Sequence, residues 1–576
     1  MPVLETVLGE DDVIDLWARA RPGSEAWRVE IRGADGARTE LACGRSDDYQ
    51  RASHRAGTGG PVTVRWSDEE AEVSLAYAYA EDRVFEEGLR LLWNTPRNAN
   101  DGRRHRLHLQ PPWGWMNDPN GLVEIEGVTH AFYQHYPHAR RWNTMHWGHA
   151  LSHNLIDWVH LPIFLDPRSE LLADDAKSGG AWSGSAIARA DGSLRVFYTD
   201  RQDDREPNWE WQMVADSPDL LRAGPSRAVL ADRPPLPALR RDMRDPYVFR
   251  GPDGLWKMLL GGGDAKGGLV LLYESAQPDG ADGWSFVGPL HAEPMWPGIP
   301  VECPCLVRLD GEGENLHALI FGLLGARDEA SQRRNLSYAI VGRFDGRCFE
   351  EIARRELDFA TDAYAFQAFR HRDHGAIGLA WAANWTDVFK GRDFPSAMTF
   401  PRRLLWRDGS LFTPPVDTVA ELREVAILDD PRALARPLAL PGGLAEIEIE
   451  FTLRGSAFAI EFVHPTHHLT LVSTGSSLEL QFEPPGKRTV PRYAIGGAAI
   501  MRLRIFVDIG LVEIYVDDGR WCATKRIDSD DPFAFLRILN GAETIKAARA
   551  WALRPARALP HRAKHGQADS TAFLKE

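Results

Sequence analysis

The chain has 576 residues, a formal net charge of -15, 44% hydrophobic residues and 26% charged residues. That length exceeds one ordinary core, so several domains of a soluble globular protein are expected. The negative charge argues against nucleic acid or an anionic membrane as partner, because neither would be attracted.

The N-terminus, Met1 to Trp17, carries acids rather than a basic region followed by an apolar run. Neither a signal peptide nor a membrane span is expected, and the cytoplasm is the expected compartment. Residues 1–100 read as a small β-rich domain without recognisable chemistry. Its candidate strands are Ala26–Ile31, Val62–Trp66 and Ala71–Ala78, separated by Gly-rich breaks. Glu81 to Trp93 is expected to be a helical linker.

A repeat fills the next segment, 101–425. Each unit has a polar or acidic opener, a short apolar strand, a turn and a second apolar strand. The openers are Asp118, Trp182-Ser183, Arg244-Asp245, Glu302 and Asp362. Asp191-Gly192, Asp253-Gly254 and Asp310-Gly311 supply turns in the second, third and fourth units. The second strands begin near 130, 195, 256, 317 and 377. Hairpins at steps of roughly 60 residues predict a β-propeller with one four-stranded sheet per unit, hence five blades. The openers would then ring one mouth of the central channel.

Three openers are acids with a proline just after: Asp118-Pro119, Asp245-Pro246 and Glu302-Cys303-Pro304. Proline is tolerated where a strand begins, and there it would hold the acid in place. One such acid alone reads as a surface turn. Three in matching positions of a repeat point to a catalytic site.

From 426 to 556 the pattern becomes alternation, as in Ile447-Glu448-Ile449-Glu450-Phe451 and Val512-Glu513-Ile514-Tyr515-Val516. Antiparallel sheets with one wet face are expected, arranged as a β-sandwich. Residues 557–576 read as a loose tail. The fold class is therefore all-β: a five-bladed β-propeller followed by a C-terminal β-sandwich, with an extra small N-terminal β-rich domain.

The seven residues Trp115-Met116-Asn117-Asp118-Pro119-Asn120-Gly121, with Arg244-Asp245-Pro246 and Glu302-Cys303-Pro304, resemble the three signatures of glycoside hydrolase family 32, the invertase, inulinase and levanase family. Trp182-Ser183-Gly184-Ser185-Ala186, Trp147-Gly148-His149 and Thr399-Phe400-Pro401-Arg402 are similar to further family motifs, and Arg504 to Asp508 resembles its C-terminal module. The resemblance implies that Asp118 is the nucleophile, Glu302 the acid and then base, and Asp245 the group that holds the fructosyl hydroxyls. It implies retention of anomeric configuration, which goes with two carboxyls about 5–5.5 Å apart. It also places Asn117, Gln134, Trp142 and Trp182 around the fructosyl ring, and Ser183, Arg244, Cys303 and Trp385 complete the expected substrate-binding set. Arg244, next in sequence to Asp245, is expected to favour its charged form, leaving Glu302 as the better proton donor.

The sequence departs from the family pattern at Cys305, where Asp is common, and at Met243, where an aromatic is common. Cys305 therefore puts the tuning of Glu302, or selectivity for the leaving group, in question. Cys303 and Cys305 are more simply packing neighbours on one strand than a redox or metal pair. His130, His135, His138, His146, His149 and His153 lack a carboxylate or Cys scaffold at ligand spacing. No metal and no cofactor is expected.

The implied activity is hydrolysis of terminal β-fructofuranosyl bonds in sucrose and short fructo-oligosaccharides. Fructosyl transfer or fructan-specific cleavage on the same scaffold is the alternative. A propeller arabinosidase or xylosidase, or an inactive sugar-binding protein, is the more distant one. The N-terminal extension is compatible with a homodimer.

Overall fold

The computed structural model describes residues 2–95, 105–173, 177–280, 283–311, 315–385, 396–452, 457–474, 476–483, 492–494, 500–529 and 531–557. The expected tail lies outside the described residues, apart from its first position.

Residues 3–94 form two four-stranded antiparallel sheets, with strand order Val3–Leu8, Gly60–Trp66, Ala26–Arg32, Arg38–Gly44 in one and Gln50–Arg55, Val13–Ala20, Ala71–Tyr79, Arg90–Asn94 in the other. Trp27, Val29, Ile31, Val62, Val64 and Trp66 face Ile14, Leu16, Val73 and Ala76 across a closed core. The expected helix over 81–93 is overturned. Only Val84–Glu87 is helical, and Gly88, at φ +68°, ends it. Leu91, Leu92 and Trp93 then continue as an edge strand. Packing decides this run: Leu92 and Trp93 lie against the N-terminal core, and Trp93 meets Trp66 edge-on with centroids 4.9 Å apart.

The next sheets are each built from one sequence unit: Trp115–Ile125 to Val159–Leu165, Gly179–Ala188 to Arg227–Leu230, Met243–Arg250 to Ser285–Glu293, and Glu302–Arg308 to Phe349–Glu356, four antiparallel strands apiece. A fifth contains Tyr364–His371, Gly375–Trp381 and Arg402–Arg403 among the described residues. The first strands of these sheets lie side by side in a ring, and Tyr364–His371 returns to Trp115–Ile125. This is propeller architecture. The hairpin turns follow local chemistry: at Asp191-Gly192 the Asp side chain accepts from the Ser193 amide at 3.0 Å, and Gly192 sits at φ +81°. Asp310-Gly311 lies, as expected, in the connection between Glu302–Arg308 and Leu316–Asp328, and it also pairs in parallel with Leu405–Arg407.

Residues 423–553 form two six-stranded sheets with an apolar core between them. The expectation of a wet face fails at Val512–Val516, because that face meets the propeller. Glu513 is fully buried and accepts from His108 Nε2 at 3.0 Å and Arg402 Nη2 at 2.9 Å. His108 Nδ1 lies 2.7 Å from Asp508. These two carboxylates push the His108 imidazole up to about 9 against the opposing effect of burial, and Glu513 is pulled down to about 2 by Arg402 and His108 against its own burial. Both ends of the pair are therefore ionised at neutral pH. The propeller and sandwich are joined by a buried charge network as well as by apolar contact.

Candidate active site

The first strands share a local irregularity. In each, two residues oppose one on the neighbouring strand: Asn117-Asp118, Trp182-Ser183, Asp245-Pro246, Cys303-Pro304 and Ala365-Phe366. Such a β-bulge bends the strand and re-aims its side chains. Asp245, Cys303 and Ala365 accordingly have positive φ of 63°, 48° and 53°. The bulge converts a continuous strand into a platform, and the polar side chains at and just before it converge.

Asp118 receives three donors. Asn117 Nδ2 lies 2.9 Å from Oδ1, and on Oδ2 the Ser183 hydroxyl lies at 2.6 Å and the Cys303 thiol at 3.5 Å. Asn117 is itself held by the Trp115 indole N–H, at 2.6 Å. Both oxygens of Asp118 are thus fixed from two other elements and from its own strand. Burial, with the three carboxylates adding to it, pushes the Cys303 thiol well above its ordinary value, so it remains an S–H donor.

Cys303 also ties the second acid in, because its backbone N–H donates to Asp245 Oδ2 at 2.8 Å. Asp245 is buried, and its own amide donates to Thr199 Oγ1 at 2.9 Å. Burial pushes its carboxyl up to about 7, with Arg244 opposing and Glu302 and Asp118 reinforcing. Arg244 does favour the charged form of Asp245, as expected, but burial outweighs it. The Arg244 guanidinium reaches past its neighbour and donates to Glu302 Oε1 at 3.0 Å, and it is anchored by Glu210 at 2.7 Å and Asp242 at 2.6 Å. Sequence adjacency does not fix the hydrogen-bond partner, because successive side chains on a strand point to opposite faces.

Glu302 accepts on its other oxygen from the Tyr364 hydroxyl at 2.8 Å. Burial still raises its pKa, while Arg244 and Tyr364 pull against the rise. Burial keeps the proton on Glu302 to higher pH than an exposed Glu would hold it. The two donors make the ionised form accessible as well. That combination suits a group that must give a proton and then take one back.

The expected substrate-binding residues divide. The guanidinium groups of Arg201 and Arg244 lie 4.8 Å and 5.6 Å from the Trp182 ring, and Trp142, 38% exposed, meets it edge-on with centroids 6.3 Å apart. Trp385 packs on Trp115 and Trp381 at 5.9 and 5.0 Å. Gln134 is buried, and its amide N–H donates to the Ala181 carbonyl at 2.9 Å, tying the first sheet to the second. Cys305 lies outside this group: its thiol packs among Val307, Ile320 and Phe366 and points to the Phe366 carbonyl. It does not touch Glu302, so its departure from the family pattern does not act by direct contact.

Two of the residues around the acids escape sequence reasoning. Tyr364 is one: in the fifth unit the eye falls on Asp362 as opener, but its carboxylate accepts from Lys525 Nζ at 2.6 Å in the sandwich. The bulge register shows that Tyr364 and not Asp362 matches Glu302 and Arg244, each standing just before the bulged pair. Glu210 is the other, and it lies on the third strand of its sheet, where no motif marks it. The histidine group is structural where its bonds are seen: His130 pairs with His149 at 3.0 Å, His135 with the Trp115 carbonyl at 2.8 Å and His146 with the Thr144 carbonyl at 3.0 Å.

A propeller whose mouth holds three carboxyl groups, with the pKa values of Asp245 and Glu302 both raised and Glu302 flanked by an arginine and a tyrosine, is the site of a glycoside hydrolase. Residues 108–415 match the glycosyl hydrolases family 32 N-terminal domain, and residues 428–552 match the family 32 C-terminal domain. The sucrose-6-phosphate hydrolase of Escherichia coli is 31% identical over 73% of this chain and 88% of its own length. The raffinose invertase of Escherichia coli is also 31% identical, over 73% of this chain and 88% of its own. Among solved structures, a family 32 glycoside hydrolase from Bifidobacterium adolescentis superposes with a TM-score of 0.84 at 22% identity, covering 96% of this chain and all of that one. A Bombyx mori β-fructofuranosidase variant in complex with sucrose gives a TM-score of 0.66 at 25% identity, over 79% of this chain and 95% of that one. The chain belongs to glycoside hydrolase family 32.

Proposed function

We propose that this enzyme is a retaining β-fructofuranosidase acting on sucrose and short fructo-oligosaccharides. Asp118 attacks the anomeric carbon of the fructosyl unit. The carbon–oxygen bond to the leaving sugar breaks as Glu302 gives its proton to that oxygen. Glu302, now ionised, takes a proton from water, whose oxygen attacks the same carbon and frees Asp118. Asp245, whose carboxyl is raised by burial, can donate to one fructosyl hydroxyl or accept from another. The observation that carries this reading is the hydrogen-bond chain through Cys303. Its side chain and backbone hold Asp118 and Asp245 together, one residue along the strand from Glu302.

Several relatives are named for a phosphorylated substrate. Here the two guanidinium groups beside Trp182 are already paired: Arg201 with Glu210 and Asp203, Arg244 with Glu302, Glu210 and Asp242. That favours an uncharged leaving sugar. The test is release of free glucose and fructose from sucrose at low and high concentration, with sucrose 6-phosphate in parallel and the first-formed fructose anomer read by proton NMR. Equal release of both sugars with β-fructose appearing first supports the proposal. Glucose in growing excess would mean that a sugar hydroxyl intercepts the intermediate, and α-fructose first would exclude retention.

A further inference from the structure

Residues 137–145 leave the first sheet after Val128–Tyr136, carry Trp142, and return as His146–Ser152. One end of this loop is tied to the second sheet, where the Ala181 amide donates to the Met145 carbonyl at 3.0 Å, one residue before Trp182. The other end is tied to the N-terminal sandwich. The Tyr136 hydroxyl donates to Asp48 Oδ1 at 3.2 Å, and the side chain of Asn143, next to Trp142, hydrogen-bonds that same hydroxyl. His138 is buried, with Nδ1 2.8 Å from Ser74 Oγ and its ring 4.5 Å from that of Tyr49.

The N-terminal side of this contact is itself braced. The Tyr49 hydroxyl donates to Glu72 at 2.7 Å, and the Tyr49 amide donates to Asp48 Oδ1 at 2.8 Å. The Asp48 amide donates to the Leu172 carbonyl at 2.9 Å, between the first and second sheets. Trp17, Leu75 and Tyr77 pack on Leu151, Leu161 and Ile163 of the first sheet beneath it. An apolar contact of that kind would be enough to attach a domain. It does not call for polar side chains aimed at the base of one loop.

We propose that the N-terminal sandwich is a working part of the active site: through Asp48 and Ser74 it holds residues 137–145 so that Trp142 stands against Trp182, and so sets how tightly the site grips its sugar. Asp48 and Ser74 are positioning residues in this scheme. The proposal rests on the reading of Trp142 as a wall of the sugar pocket. A loop tied at both ends spends less conformational entropy when sugar binds, and the gain appears in affinity and not in the chemical step.

The test uses the full chain with Asp48→Ala, Asp48→Asn, Trp142→Ala and the Asp48→Ala/Trp142→Ala pair, with Tyr136→Phe as a second way to cut the link should Asp48→Ala fail to fold. Losing the acceptor removes the bonds from the Tyr49 amide and the Tyr136 hydroxyl, of which the second holds the loop, so KM for sucrose should rise about threefold to tenfold with kcat within about twofold. Asp48→Asn keeps an acceptor oxygen and should restore the parent KM. In the Trp142→Ala background, Asp48→Ala should add nothing. Amide hydrogen exchange over 137–145 should quicken in Asp48→Ala. Unchanged exchange in that segment, or a KM effect that adds in full when Trp142 is already gone, would overturn the positioning role. Faster exchange with KM unmoved by either Asp48→Ala or Trp142→Ala would show a held loop that does not touch the sugar, which removes the reading of Trp142 instead.

Discussion

Replacing Tyr364 by Phe removes one hydroxyl from the Glu302 carboxyl and leaves the ring in place. The ring must stay, because Gly322 packs so closely on it that even a methyl at that position would come within 2.8 Å. The lost bond is 2.8 Å long and made to the carboxyl proposed to ionise in the first proton transfer. Hydrogen bonds to charged groups contribute about 1.5–3 kcal/mol. One pH unit of protonation equilibrium corresponds to about 1.4 kcal/mol. Arg244 remains at 3.0 Å on the other oxygen and retains part of the stabilisation. The proton therefore becomes harder to remove, and the alkaline limb of kcat/KM for sucrose should move up by roughly one pH unit. Glucose release measured from about pH 4 to 10 on parent and variant, with melting curves to confirm the fold, reads this directly. An alkaline limb that stays put, or moves down, would refute the claim that Tyr364 tunes Glu302.

Glu302→Gln removes the proton donor and should lower kcat on sucrose by about 10²–10⁴. An aryl β-fructofuranoside whose leaving group needs no proton should lose much less in its first step, so equal losses on both substrates would argue against the acid role. Stability should depend on pH through the buried pair His108 and Glu513. The raised imidazole, about 9 in the folded chain, contributes fully below its unfolded value near 6.5, and that contribution is lost as pH rises through 9. The depressed carboxyl, about 2 when folded, contributes fully above 4.5 and loses its contribution as pH falls towards 2. The melting temperature should be highest between those limits. The alkaline loss should amount to roughly 3 kcal/mol and be flattened in His108→Gln. A level melting temperature from pH 6.5 to 9 would contradict the charge network.

The all-β class, the sheet-by-sheet repeat, the sandwich and the three acids could be read from the chain because their signals are local. Strand alternation, Asp-Gly turns and a proline beside each acid are each decided within a few residues. Partner choice is not local. Arg244 passes over adjacent Asp245 to reach Glu302, Asp362 turns away to Lys525, and Tyr364 takes the place beside Glu302. Each contact joins residues of different sheets, brought together only when the ring of first strands closes. The same limit explains the misread face of Val512–Val516 and the misassigned helix near residue 90. A buried carboxylate and a wet one look identical in sequence, and a short apolar run becomes helix or strand according to what it packs against. The sequence thus determines which groups can do the chemistry. The bulges and the packing of one sheet on the next decide which groups touch, because burial, and with it the protonation of Asp245 and Glu302, exists only once the chain has folded.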